Sequence, residues 1–269
     1  MDLFINYLSQ VALTVGMIVL FGLLIALCRR GFCRIVGYYG PKILLATGVI
    51  GTPIHELSHA LMCLLFGHRI VEIKLYQPNS EDGVLGYVQH SFNTRNLYHQ
   101  IGNFFIGIAP ILCGSGVLFL LLFLLVPTAF EGVMAELGTV RTLTANPSLG
   151  GYCGLFWGII TSIFHLSYAG DYRWWIFVVL ALLIASHMEL SGADIASGAK
   201  GFVFLALLWL LVDTVVFFIS VPALETMTAA MASFGLAVAG FLALSGIFSC
   251  VLVILALLLK ALFRVFGRR

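Results

Sequence analysis

The stretch GTPIHELSHALMCLLFG, residues 51–67, decides how this chain is read. It lies inside an apolar run long enough to cross a bilayer, yet it carries Glu56 between His55 and His59. Ionisable groups are rare at membrane depth because hydrocarbon penalises each of them. Three within the five residues of HELSH require a shared cause.

The rest of the chain supports the membrane setting. Of 269 residues, 61% are hydrophobic and 10% charged, where a soluble domain carries about 25% charged residues. The composition predicts an all-α polytopic membrane protein. A span takes about 20 mostly apolar residues, and the apolar runs predict about six transmembrane helices. These cover roughly 7–28, 42–67, 101–127, a fourth from Trp174 into ASHMELSGADI, then 202–221 and 233–263. Residues 128–150 read as a loop of mixed charge; 151–169 are long enough to cross but rich in Gly, Ser and Tyr, and only a metal site shared by HELSH and Asp194 would argue that they form an interfacial or partly inserted helix. The N-terminal run reads as a retained span, not a removed signal peptide.

No internal repeat is present, so residues 1–269 read as one integral membrane domain. Within it, 1–41 hold the first span and a basic loop, 42–200 a core, and 201–269 two C-terminal spans. The net charge of +2 says nothing about nucleic acid by itself, and with no basic domain or Lys/Arg stripe to read as a binding face, no nucleic-acid partner is expected. The cysteines Cys28, Cys33, Cys63, Cys113, Cys153 and Cys250 form no CxxC pair and read mostly as small buried hydrophobes.

Residues 68–92, HRIVEIKLYQPNSEDGVLGYVQHSF, are the longest polar segment. Val71, Ile73 and Leu75 alternate with Glu72, Lys74 and Tyr76, the period of a strand. PNSEDG is a turn and VLGYVQH a second extended run, so the segment predicts a membrane-associated β-hairpin directly after the HELSH helix. His68, His90 and His99 are expected at its surface.

HELSH fits HExxH. Residues four apart share a helix face, about 6 Å apart along the axis, so His55 and His59 can ligate one metal ion. Glu56 is rotated by about 100° from His55, where a general base for a zinc-bound water belongs. Catalytic zinc takes a third protein ligand and keeps a fourth position open. His187, Glu189 and Asp194 are the candidates in ASHMELSGADI, with Asp213 alone in LLWLLVDTVVFF. A carboxylate lowers the charge buried with the metal, and Gly192 can loosen the chain just before Asp194, so Asp194 is favoured. Placed at the C-terminal end of the fourth span, Asp194 shares a membrane face with HELSH if the two helices run parallel.

With HExxH in one span and a carboxylate further on, the chain resembles the site-2 protease family of intramembrane zinc metalloproteases. The resemblance covers roughly residues 42–200. It implies one Zn2+ per chain on His55, His59 and Asp194, with Glu56 activating the water. The implied substrate is a transmembrane protein, presented as an extended strand by the hairpin. The family's second motif, NxxPxxPLDG, reads HMELSGADI here, without the prolines or LDG. Its GPxxN-like element is matched only in reversed order by IGNFFIGIAP, where Asn103 would polarise the scissile carbonyl. The family's site opens to the cytosol, which would put the N-terminus, the hairpin and the C-terminal KALFRVFGRR inside. The positive-inside rule does not choose, because CRRGFCR disagrees with the C-terminal charges. A non-catalytic zinc-binding membrane protein or chaperone, and a metal transporter, are the readings from other classes.

Overall fold

The opening stretch lies in α2, Gly40–Leu65, which follows α1, Leu3–Val36, through one 3-10 turn at Gly37–Tyr39. Gly37 has φ +60°, a left-handed conformation that costs a side-chain-bearing residue more than glycine. Pro41 then enters the first turn of α2, where its missing N–H has no helical partner to lose. The computed structural model describes residues 3–80 and 83–266.

After α2 come β1, Arg69–Lys74, and β2, Tyr87–Ser91. Next are α3, Leu97–Leu125; α4, Pro127–Gly138; α5, Val140–Ala145; and α6, Leu149–Ile163. The chain ends with α7, Tyr172–Ala185; α8, Gly192–Ile219; and α9, Val221–Phe266. Among the described residues, five apolar helical stretches are long enough to cross a membrane: Leu3–Leu65, Leu97–Leu125, Leu149–Gly170, Gly192–Ile219 and Val221–Arg264. The chain is a multi-pass membrane protein.

Three expectations change. Residues 128–150 are largely helical, because Ala129 and Val133 lie on one face and are fully buried. That face is short and sparsely apolar, so the charges around it read as a loop. The fourth span is also divided. α7 has 14 residues, about 21 Å at 1.5 Å per residue, short of the roughly 30 Å of hydrocarbon. A new helix, α8, starts at Gly192, so Asp194 lies in a first turn and not at a C-terminal end. Finally, α1 and α9 run parallel. Gln10 donates to Thr228, and Cys28 Sγ lies 3.7 Å from Cys250 Sγ. A six-span chain would have its first and last spans antiparallel, with both outer ends on one side. Leu3 and Arg264 instead lie at opposite ends of this pair.

The hairpin strands pair antiparallel, Arg69 with Ser91 through Lys74 with Tyr87, with an irregularity between Ile70 and Glu72. The hairpin folds back along α2: Tyr76 Oη donates to the Leu45 carbonyl, and Gly86 lies against Thr52 and Glu56. α3 packs antiparallel to α2, with Tyr98 Oη on the Leu65 carbonyl and His59 against Ile106. α8 packs antiparallel to α3 through a seam of small residues. A Cβ on Gly201 would strike the Phe104 backbone, and one on Gly107 the backbone of Asp194 and Gly198. Close backbone approach through small residues is how membrane helices associate. Here it carries the start of α8 to the middle of α2.

Candidate metal centre

His55, Glu56 and His59 project from α2, and Asp194 from the first turn of α8. Asp194 is held by a capping box. Its N–H donates to Ser191 Oγ at 3.1 Å, and its Oδ2 accepts from the Ser191 N–H at 2.7 Å. A carboxylate is favourable at a helix N-terminus, and Oδ1 is left facing His59 Nε2 at 3.2 Å. His55 Nε2 lies 3.8 Å from Oδ2.

Both imidazoles are oriented from outside their own helix. His55 Nδ1–H donates to the His187 carbonyl at 2.7 Å, and His59 Nδ1–H to the Ile106 carbonyl at 2.8 Å. A carbonyl only accepts, so each Nδ1 bears the hydrogen and each neutral ring turns a lone pair outward at Nε2. The two Nε2 atoms are 3.2 Å apart. With both rings neutral, two lone pairs and a carboxylate thus converge, an arrangement that a cation, proton or metal ion, relieves. Ligating histidines characteristically give their other ring N–H to a carbonyl or carboxylate. One ligand atom from each of His55, His59 and Asp194 lies within 4.8 Å of the others, and the group could hold a metal ion.

The Ile106 carbonyl is free for a reason in the sequence. Pro110, inside α3, has no N–H to give the carbonyl four residues back. The His187 carbonyl is free because α7 has ended two residues before.

The other sequence candidates are placed elsewhere. The His187 ring pairs with Thr47 Oγ1 at 2.9 Å and Thr52 Oγ1 at 3.4 Å, so it is the residue's carbonyl that reaches the centre. Glu189 forms an ion pair with Arg29. Asn103 is buried at the α3/α8 contact, where its Oδ1 accepts from Ser197 Oγ at 3.4 Å. Asp213 is fully buried away from the cluster.

Glu56 is 6% exposed and borders a cleft of about 790 Å³ between the end of α1, α2, the hairpin tip and the α7–α8 connection. Arg29, Arg30, Thr52, His55 and Glu56 are among the residues that line it. A Cβ on Gly86 would fall 2.9 Å from Glu56 Cγ, so only a glycine lets the hairpin lie on this carboxylate.

The sequence signal overlooked was SGAD, residues 191–194, a Ser-x-x-Asp capping box that marks a helix start. His68 also departs from expectation. It is 3% exposed, not at the surface, and burial lowers the proton affinity of both His68 and His90. Comparison of the chain with protein-family models, curated proteins and solved structures finds no match in any of the three.

Proposed function

We propose that the chain is a zinc-dependent intramembrane endopeptidase of the site-2 protease kind, hydrolysing peptide bonds of membrane-embedded protein substrates. The observation that carries this reading is the convergence of two outward Nε2 lone pairs and the Asp194 carboxylate beside Glu56. His55, His59 and Asp194 would hold one zinc ion, whose preference for nitrogen and oxygen donors they fit. Zinc supplies Lewis acidity there, toward the scissile carbonyl and toward a water molecule. Glu56 is the general base: it takes the proton of the attacking water as the new C–O bond forms. It then delivers that proton to the amide nitrogen as the C–N bond breaks. The carbonyls of His187 and Ile106 hold the two imidazoles in the ligating tautomer.

An intact helix keeps its carbonyls bonded, so a substrate must be locally extended to be cut. The edges of the two-stranded hairpin, folded back along α2 to the cleft, offer backbone pairing to such a segment. The cleft's orientation follows from charge. Because α1 and α9 run parallel, Arg29, Arg30 and Arg34 share one end of the molecule with Lys260 and Arg264. The positive-inside rule makes that end cytosolic, and the cleft lies beside Arg29 and Arg30.

The test is a pair of measurements on purified full-length protein reconstituted in vesicles with a transmembrane reporter substrate. Glu56→Gln is expected to keep one zinc per chain and to lose cleavage. Cleavage at the wild-type rate by that variant would overturn the mechanism. Zinc without cleavage in the wild type, across a panel of reporter spans, would favour the non-catalytic zinc protein.

A further inference from the structure

One turn beyond His59, the same face of α2 presents Cys63, and a second group of ligand atoms gathers around it. Its local geometry begins with the end of the helix. Gly67 has φ +70°, the Gly67 N–H donates to the Leu64 carbonyl and the His68 N–H to the Cys63 carbonyl. This is a Schellman motif, and its paired bonds place residue 68 beside residue 63. In many helices that pairing brings two apolar side chains together; here it joins a thiol and an imidazole. The hairpin register adds the third member, since β2 returns with His90 opposite Ile70.

Cys63 is fully buried and reduced, His68 is 3% exposed, and His90 is half-buried. His68 Nε2–H donates to the His99 carbonyl at 2.9 Å, which leaves its Nδ1 as a lone pair. That Nδ1 lies 3.0 Å from His90 Nδ1, and one ligand atom from each of the three residues falls within 4.8 Å of the others. The His68 ring is further fixed by stacking on Phe92, with ring centroids 4.8 Å apart. The pattern repeats that of the first centre: a ring oriented by a main-chain carbonyl, with its free nitrogen turned toward other donors.

We infer that Cys63, His68 and His90 form a second metal site for a borderline-soft divalent cation such as zinc, tying the return strand of the hairpin to the end of α2. One thiolate and two imidazoles are a zinc ligand set, and the thiolate reduces the charge that the site must hold in a buried place. The three ligands come from the helix, the turn and the returning strand, so the ion closes a loop of chain whose base is otherwise held by strand pairing, hydrogen bonds and the stacking of His68 on Phe92. The inference does not rest on the peptidase reading, because none of these residues belongs to the first centre.

Cobalt(II) is the probe, because thiolate ligation produces a charge-transfer absorption that nitrogen and oxygen ligands do not. The first centre has no thiolate. Metal-stripped full-length protein in detergent, titrated with cobalt, is expected to bind two equivalents and to show the thiolate band. His59→Ala should keep the band. Cys63→Ser and His90→Asn should each lose the band and one equivalent; the second lies on a half-buried strand and keeps the test valid if the first fails to fold. A wild type without the band, or a band that survives both substitutions, overturns the site and leaves a His68–His90 hydrogen bond. If His59→Ala binds as much cobalt as the wild type, the first centre fails while the second stands.

Discussion

His55 and His59 each use one ring nitrogen to reach a carbonyl on another element, and this divides the work at the centre. His187 contributes main chain, not side chain. His187→Ala is therefore expected to retain close to one zinc at the first centre, whereas Asp194→Ala loses it. Elemental analysis of the two variants decides, and the opposite pattern would make His187 the ligand. Pro110 acts at one remove. Alanine there restores an N–H that competes for the Ile106 carbonyl, and His59 loses its fixed tautomer. Partners of this kind change metal affinity by roughly 10–100-fold. Pro110→Ala should weaken zinc binding by about that much in a chelator competition, with helix content unchanged. An unchanged affinity would mean that the carbonyl does not need the proline.

At the scale of elements, the centre depends on how closely α8 approaches α3. Gly201 meets the Phe104 backbone and Gly107 that of Asp194. Gly201→Val must push the helices apart at an overpacking cost of about 1–3 kcal/mol, and Asp194 moves with α8. Loss of the first-centre zinc with retained helicity is the expected outcome. Gly192→Ala is the control, since nothing lies within 4 Å of a Cβ there; equal zinc loss in both variants would remove the seam from the account. Much of this region is legible in the sequence. The spacing of HELSH already puts His55 and His59 on one helix face, where the structure brings them together with Asp194, and the alternation through Val71 and Ile73 marks the strand β1. The expected fourth span runs on past the end of α7 into the first turn of α8, because apolar composition does not record where a helix stops and restarts; the capping box at Ser191 does. The Ile106 and His187 carbonyls could not be read at all, because backbone acceptors carry no residue identity and their role arises only in tertiary contact. His68 was misplaced for a similar reason, since a polar residue after a helix reads as surface until the hairpin folds over it.

Over the whole molecule, the parallel α1 and α9 determine what faces what. Gln10 pins their register, donating to Thr228 on α9 while accepting from Trp209 on α8. Buried polar pairs of this kind are satisfied between membrane helices because lipid offers them no partner. With both helices spanning in the same direction, CRRGFCR and the C-terminal Lys260 and Arg264 fall on one side, and the charges that conflict in a six-span topology agree. Leu3 begins on the other side. A reporter fused to the C-terminus should therefore be reachable from the cytosol, and one fused to the N-terminus only from the opposite face. A cysteine replacing Lys42, at the cleft, should react with an impermeant reagent from the same side as the C-terminal reporter. Both termini on one side would contradict parallel spanning by α1 and α9. A cleft cysteine labelled only from the N-terminal side would contradict the cytosolic opening, while leaving the metal centre itself untouched.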